Sequence, residues 1–138
     1  MIRLILWFKP FSKYLLVAIA VLIMVVSSIP KVPVMKISMG DTVIRLDYLI
    51  HFLEYGALAF LTYLTFSGKD FIISSRKYLF ITVCLMAFAL ADEFHQIIIP
   101  GRSFNPKDII SNLIGIVGGL VFCALVFRKI VLKSSQIN

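Results

Sequence analysis

Five of the seven acids in this chain, and both of its histidines, fall in three short stretches. The first reads Asp47-Tyr48-Leu49-Ile50-His51-Phe52-Leu53-Glu54-Tyr55. Asp47, His51, Glu54 and Tyr55 are spaced i, i+4, i+7 and i+8, which on a helix is one face. The second reads Ala91-Asp92-Glu93-Phe94-His95-Gln96. Asp92, His95 and Gln96 share a face, and Glu93 borders it, turned by about 100°. The third begins at Asp108 and carries Asn112, Gly115 and Gly119 along one stripe. Between the last two stretches runs Pro100-Gly101-Arg102-Ser103-Phe104-Asn105-Pro106-Lys107, in which Arg102 offers a planar cation suited to carboxylate or phosphate.

Carboxylates and imidazoles held together permit general acid–base catalysis. Asp47, His51, Asp92 and Glu93 are the catalytic candidates, and Gln96, Arg102, Asp108 and Asn112 are the candidates for ligand binding. His51, Glu54, Glu93 and His95 are the candidates for a divalent metal, on spacings that are short and common, and no HExxH is present. GxSxG, P-loop and GxGxxG motifs are absent, so no cofactor is expected. Ser103 and Ser111 are the serines near the cluster, and neither sits in a nucleophile motif.

These residues must be positioned by helices in a bilayer. Hydrophobic residues make up 60% of the 138 and charged residues 15%, against roughly 45–50% and 25% for soluble domains. Mean hydropathy is +0.98. Four apolar stretches approach the roughly 20 residues that cross the hydrocarbon core, at about 14–29, 46–66, 78–99 and 109–127. The sequence predicts an all-α, four-transmembrane-helix bundle forming a single domain over 1–138. The first stretch also has features of a signal peptide, but Ile29 and Pro30 after Ser27-Ser28 make a poor cleavage site.

Nine Lys and Arg (Arg3, Lys9, Lys13, Lys69, Arg76, Lys77, Arg128, Lys129 and Lys133) fall on one side of these spans. Five (Lys31, Lys36, Arg45, Arg102 and Lys107) fall on the other. The positive-inside rule puts the nine, and both termini, in the cytoplasm. A multi-pass protein of the cytoplasmic (inner) membrane is expected. Continuous apolar runs, not alternating ones, argue against an outer-membrane barrel. The net charge of +7 suits loops beside anionic headgroups. It does not suggest nucleic acid, since no basic stripe is interleaved with stacking aromatics. Cys84 and Cys123 lie inside apolar runs without CxxC spacing, so neither a disulfide nor a zinc site is expected.

All three polar stretches then lie at the outer boundary, over an apolar inner half. Charges inside a membrane helix are costly and usually face a bundle interior or a cavity. Their convergence predicts an outward-facing polar pocket that binds or acts on a membrane amphiphile: a lipid, a lipid-linked glycan or a lipoglycopeptide. A conduit through one copy is disfavoured, because the inner half lacks polar residues. The plainer readings stand beside this one. Asp47 and Asp108 can be helix N-caps. Glu54 can pair with Arg102 or a histidine. His95 can sit wet at headgroup level, and Asn112 can be an interhelical hydrogen bond. In that reading the chain is a structural or assembly protein. Gly115, Gly118 and Gly119 are most simply close-packing residues.

The chain resembles the VanZ-like family of bacterial membrane proteins. The resemblance rests on Ser28-Ile29-Pro30-Lys31, on Asp47, His51 and Tyr55, and on Ala91-Asp92-Glu93-Phe94-His95-Gln96 with Pro100-Gly101-Arg102. It extends through Asp108, Asn112, Gly115 and Gly119. The series from Asp92 onward, in its order and spacing, is the specific part. The family often carries Lys after the first aspartate, where this chain has Tyr48. The resemblance implies a cell-envelope protein, since the family is named for a member linked to low-level teicoplanin resistance. The enzyme name phosphotransbutyrylase, attached to some members, finds no acyl-CoA or acyl-phosphate site in these residues.

Overall fold

A computed structural model describes residues 2–30, 36–39 and 42–135. Its elements are α1 (Ile2–Ser27), β1 (Lys36–Met39), β2 (Thr42–Arg45), α2 (Leu46–Phe66), α3 (Ser75–Gln96) and α4 (Pro106–Ser135). Each helix contains a stretch long and apolar enough to cross a membrane. The 21 residues of α2 rise about 32 Å, close to the hydrocarbon thickness. No more than 33% of the most apolar stretch of any helix is buried inside the bundle. Large side chains such as Phe80, Phe94 and Ile98 point outward. In water that surface would be an aggregation hazard, and in lipid it is the expected exterior.

α1 starts a dozen residues before the predicted Tyr14, because Lys9 and Pro10 interrupt the apolar run without ending the helix. α4 likewise continues past Phe127 to Ser135. α3 is shifted three residues toward the N-terminus. The hairpin was not expected: β1 and β2 pair antiparallel, with Lys36 opposite Arg45 and Met39 opposite Thr42. Lys31, counted above among the outward charges and in the Ser28–Lys31 stretch, lies outside the described residues.

α2 is the hub. Its most extensive packing is with α4, followed by α1, and α3 rests mainly on α4. Glycines explain the α2–α4 pair. A Cβ on Gly119 would come within 2.6 Å of the Gly56 carbonyl oxygen, and one on Gly115 would overlap the Phe52 carbonyl. The two backbones therefore touch, as small-xxx-small spacing allows. At its C-terminal end α2 is closed by lysines. Lys9 Nζ donates to Ser67 O at 2.7 Å, to Ser67 Oγ at 3.1 Å and to Gly68 O. Lys77 Nζ donates to Phe66 O at 2.6 Å. Cations are favourable at a helix C-terminus, where carbonyls lack intrahelical partners. Phe71 takes a left-handed φ of 56°, and its ring stacks on Phe127 at 4.8 Å.

Candidate functional site

The glycine crossing positions the polar residues. Asn112 lies one turn before Gly115 on α4, and Asp108 one turn before that. The close approach sets them beside the opening turns of α2, where His51 Nε2 lies 3.7 Å from Asp108 Oδ2. The last turn of α3 completes the group. Tyr55 OH donates to Asp92 Oδ2 at 3.0 Å, joining α2 to α3. Glu93 Oε1 accepts from the backbone N–H of Asn105 at 2.6 Å, joining α3 to the loop before α4. Asp92, Glu93 and Asn112 are 0% exposed, and Gln96 is 2% exposed. The cluster is thus a packed chamber with His51 and Glu54 half-buried at its edge.

Asn105 was missed by sequence reasoning. It is the N-cap of α4: its Oδ1 accepts from Lys107 N–H at 3.1 Å, and Pro106 holds the first helical position. Asn followed by Pro at a helix start was the signal that could have found it. Its Nδ2 also donates to Asp108 Oδ1 at 2.9 Å. In an ordinary capping box the third helical residue accepts the cap's own N–H. Here Glu93 takes that N–H, so the cap ties the first turn of α4 to the last turn of α3. Asp108 is therefore the third residue of the helix, not its cap.

Asp47 is not a cap either. It is the second residue of α2, and its carboxylate is held by Arg45, whose Nε reaches both oxygens at 3.1 Å. The hydrogen bond to Asp47 pushes the Arg45 pKa further up. The guanidinium also stands 4.6 Å over the Tyr48 ring, at the position where the resemblance implies a lysine.

Arg102 turns away from the carboxylates. Its Nε donates to Ile29 O at 3.1 Å and its Nη2 to Val26 O at 2.9 Å, closing the C-terminal end of α1. Gly101 makes this geometry available. Its φ of 80° is one that glycine adopts readily, and Arg102 N–H bonds Ile99 O at 3.0 Å across the Pro100-Gly101 turn. Two of the stretches that carry the resemblance, Ser28–Pro30 and Pro100–Arg102, thus meet. Glu54 is ion-paired with neither Arg102 nor a histidine among the described residues.

Among the described residues seven buried polar atoms have no hydrogen-bond partner: His51 Nδ1, Asp92 Oδ1, Glu93 Oε2, His95 Nδ1, Gln96 Nε2, and both Asn112 Nδ2 and Oδ1. All belong to the opening turns of α2 and α4 or the closing turn of α3. Each such group costs about 1–3 kcal/mol of lost solvation. A polar network satisfied only in part is less stable than an apolar core. Chemically, the group combines an imidazole flanked by a carboxylate with further acceptors and amides, which suits proton transfer and hydrogen bonding. Among the described residues no three His, Cys, Asp or Glu side chains lie together as metal ligands, so His51, Glu54, Glu93 and His95 do not form a shared metal site.

Comparison with curated proteins and with solved structures finds no match. A family model described as VanZ/LLP1 matches residues 2–128, a span that takes in α1, α2, α3, most of α4 and every residue of the cluster. The expectation drawn from the Asp92-to-Gly119 series is met, and the chain belongs to the VanZ/LLP1 family.

Proposed function

We propose that this is a cell-envelope protein of the cytoplasmic membrane whose polar cluster faces outward and receives the polar end of a membrane amphiphile. The observation that carries this reading is the set of seven unpartnered buried atoms on three helices. A network serving only to hold helices together would gain from pairing those atoms or replacing them with hydrocarbon. Both nearby guanidiniums are engaged, Arg45 by Asp47 and Arg102 by α1. The cluster therefore offers carboxylates, amides and an imidazole, which favours hydroxyl, amide or ammonium groups over a phosphate. The sugar or peptide portion of a lipid-linked glycan or a lipoglycopeptide such as teicoplanin has those groups.

In this reading His51 is the proton acceptor, steadied by Asp108. Asp92 and Glu93 supply acceptors, and Gln96 and Asn112 orient the ligand. Arg102 is a positioning residue that holds the α3–α4 loop against α1. A purely structural role is the second reading, favoured by the Tyr55–Asp92 and Asn105–Glu93 bonds that link α2, α3 and the loop.

The test is a set of variants in a host lacking its own copy, scored for teicoplanin susceptibility and other envelope phenotypes beside membrane abundance. His51→Ala, Glu93→Gln and Asp108→Asn are expected to lose the phenotype at normal abundance. Arg102→Ala is expected to lose both together. Loss of abundance in step with phenotype at all four positions favours the structural reading, and an unchanged phenotype in every variant overturns the proposal.

A further inference from the structure

The inner end of the bundle carries a groove of about 630 Å³ between α1 and α2, lined by Leu6, Lys9, Pro10, Lys13, Thr65 and Lys69. It lies at the opposite end of the bundle from the polar cluster. Lys9, with its ammonium on the α2 terminus, marks the level at which α2 ends. Lys13 stands one turn, about 6 Å, further along α1 toward the membrane interior. Trp7 and Tyr14 flank the groove at 67% and 66% exposure, as aromatic residues do at the headgroup boundary.

The charges in this groove make no ion pair among the described residues. Among the described residues the two ion pairs are Arg45–Asp47 and His51–Asp108, both at the other end. Asp70 is the acid at the inner end, and its Oδ1 accepts from Ile72 N–H at 3.3 Å. Lys9 spends its ammonium protons on the α2 carbonyls and the Ser67 hydroxyl, which offsets the partial negative charge of that helix end. Lys13, its ammonium 4.9 Å over the Tyr14 ring, and Lys69 make no ion pair among the described residues. An unpaired ammonium at the depth of Lys13 is costly unless an anion meets it. Leu6 and Pro10 supply an apolar wall beside the cations.

From this arrangement we infer that the groove binds the phosphate of an anionic phospholipid from the inner leaflet, with Lys13 and Lys69 as its ligands and Leu6 and Pro10 against its acyl chain. The proposal uses none of the residues of the polar cluster, but its assignment to the inner leaflet rests on the same orientation.

Native mass spectrometry of the purified full-length protein tests it, with phosphatidylglycerol and phosphatidylcholine of matched chains as probes. Phosphatidylglycerol is expected to be retained preferentially. Lys13→Gln with Lys69→Gln is expected to cut that preference about thirtyfold, a factor of about five per lysine, at an unchanged thermal midpoint. Lys13→Arg with Lys69→Arg keeps the positive charges and is expected to restore binding. Lys107→Gln, at the other end, is expected to change nothing. A preference that survives the glutamine pair overturns the site, and so does one lost equally in Lys107→Gln. Inorganic phosphate bound as tightly as the lipid overturns the role of the apolar wall.

Discussion

At Asn112 both amide atoms are buried without a partner, although the side chain sits where α2, α3 and α4 meet. If the amide served only as glue, its removal would cost the bundle a hydrogen bond. Since it makes none within the chain, Asn112→Val should remove a desolvation cost of about 1–3 kcal/mol. Valine and asparagine have similar helix propensities, so the exchange brings no offsetting cost. The expected outcome is a thermal midpoint in detergent at or above that of the parent, together with a lost envelope phenotype. A midpoint well below the parent would show that Asn112 stabilises the bundle and would return the cluster to the structural reading. Stability and function moving in opposite directions is what a site satisfied by its ligand requires.

The pair α2 and α4 sets the geometry of the cluster, and its glycines are not equivalent. Gly119 faces the Gly56 backbone, which can make room for a Cβ only by moving apart. Gly118 faces the Phe52 ring, with Cε2 3.9 Å from an added Cβ, an ordinary contact. Gly119→Ala should therefore destabilise by about 1–3 kcal/mol and pull His51 from Asp108. Gly118→Ala should be neutral or stabilising by up to about 1 kcal/mol, through helix propensity. Thermal midpoints of the two purified variants decide this, and equal losses would mean that the crossing is not set by Gly119. The small-residue spacing was legible in the sequence, as were four spans and one level of polar residues. The partners of Arg102 were not, because they are backbone carbonyls 73 and 76 positions away that carry no side-chain signature. The helix ends were blurred for another reason. Hydropathy falls at Lys9-Pro10 and at Arg128-Lys129, whereas the α1 and α4 backbones run on through them.

At the scale of the molecule, the orientation we propose rests on where the Lys and Arg residues lie. The sequence bias of nine to five includes residues whose charge is already used inside the fold. Lys9 and Lys77 close α2, Arg102 closes α1, and Arg45 is held by Asp47. Among residues with described side chains, Lys13, Lys69, Arg76, Arg128 and Lys129 remain at the end we place inside, and Lys107 at the other. Among these side chains the unengaged cations stand five to one, in the same direction as the Lys and Arg count on which the positive-inside rule operates. Ser103 lies exposed in the α3–α4 loop, and Ser74 lies exposed before α3 with no side-chain capping bond. In a background with Cys84 and Cys123 replaced by Ala, Ser103→Cys should react with a membrane-impermeant maleimide on intact cells. Ser74→Cys should react only after permeabilisation. The reverse pattern would turn the polar cluster toward the cytoplasm, where an extracellular lipoglycopeptide has no access, and would move the basic groove to the outer leaflet.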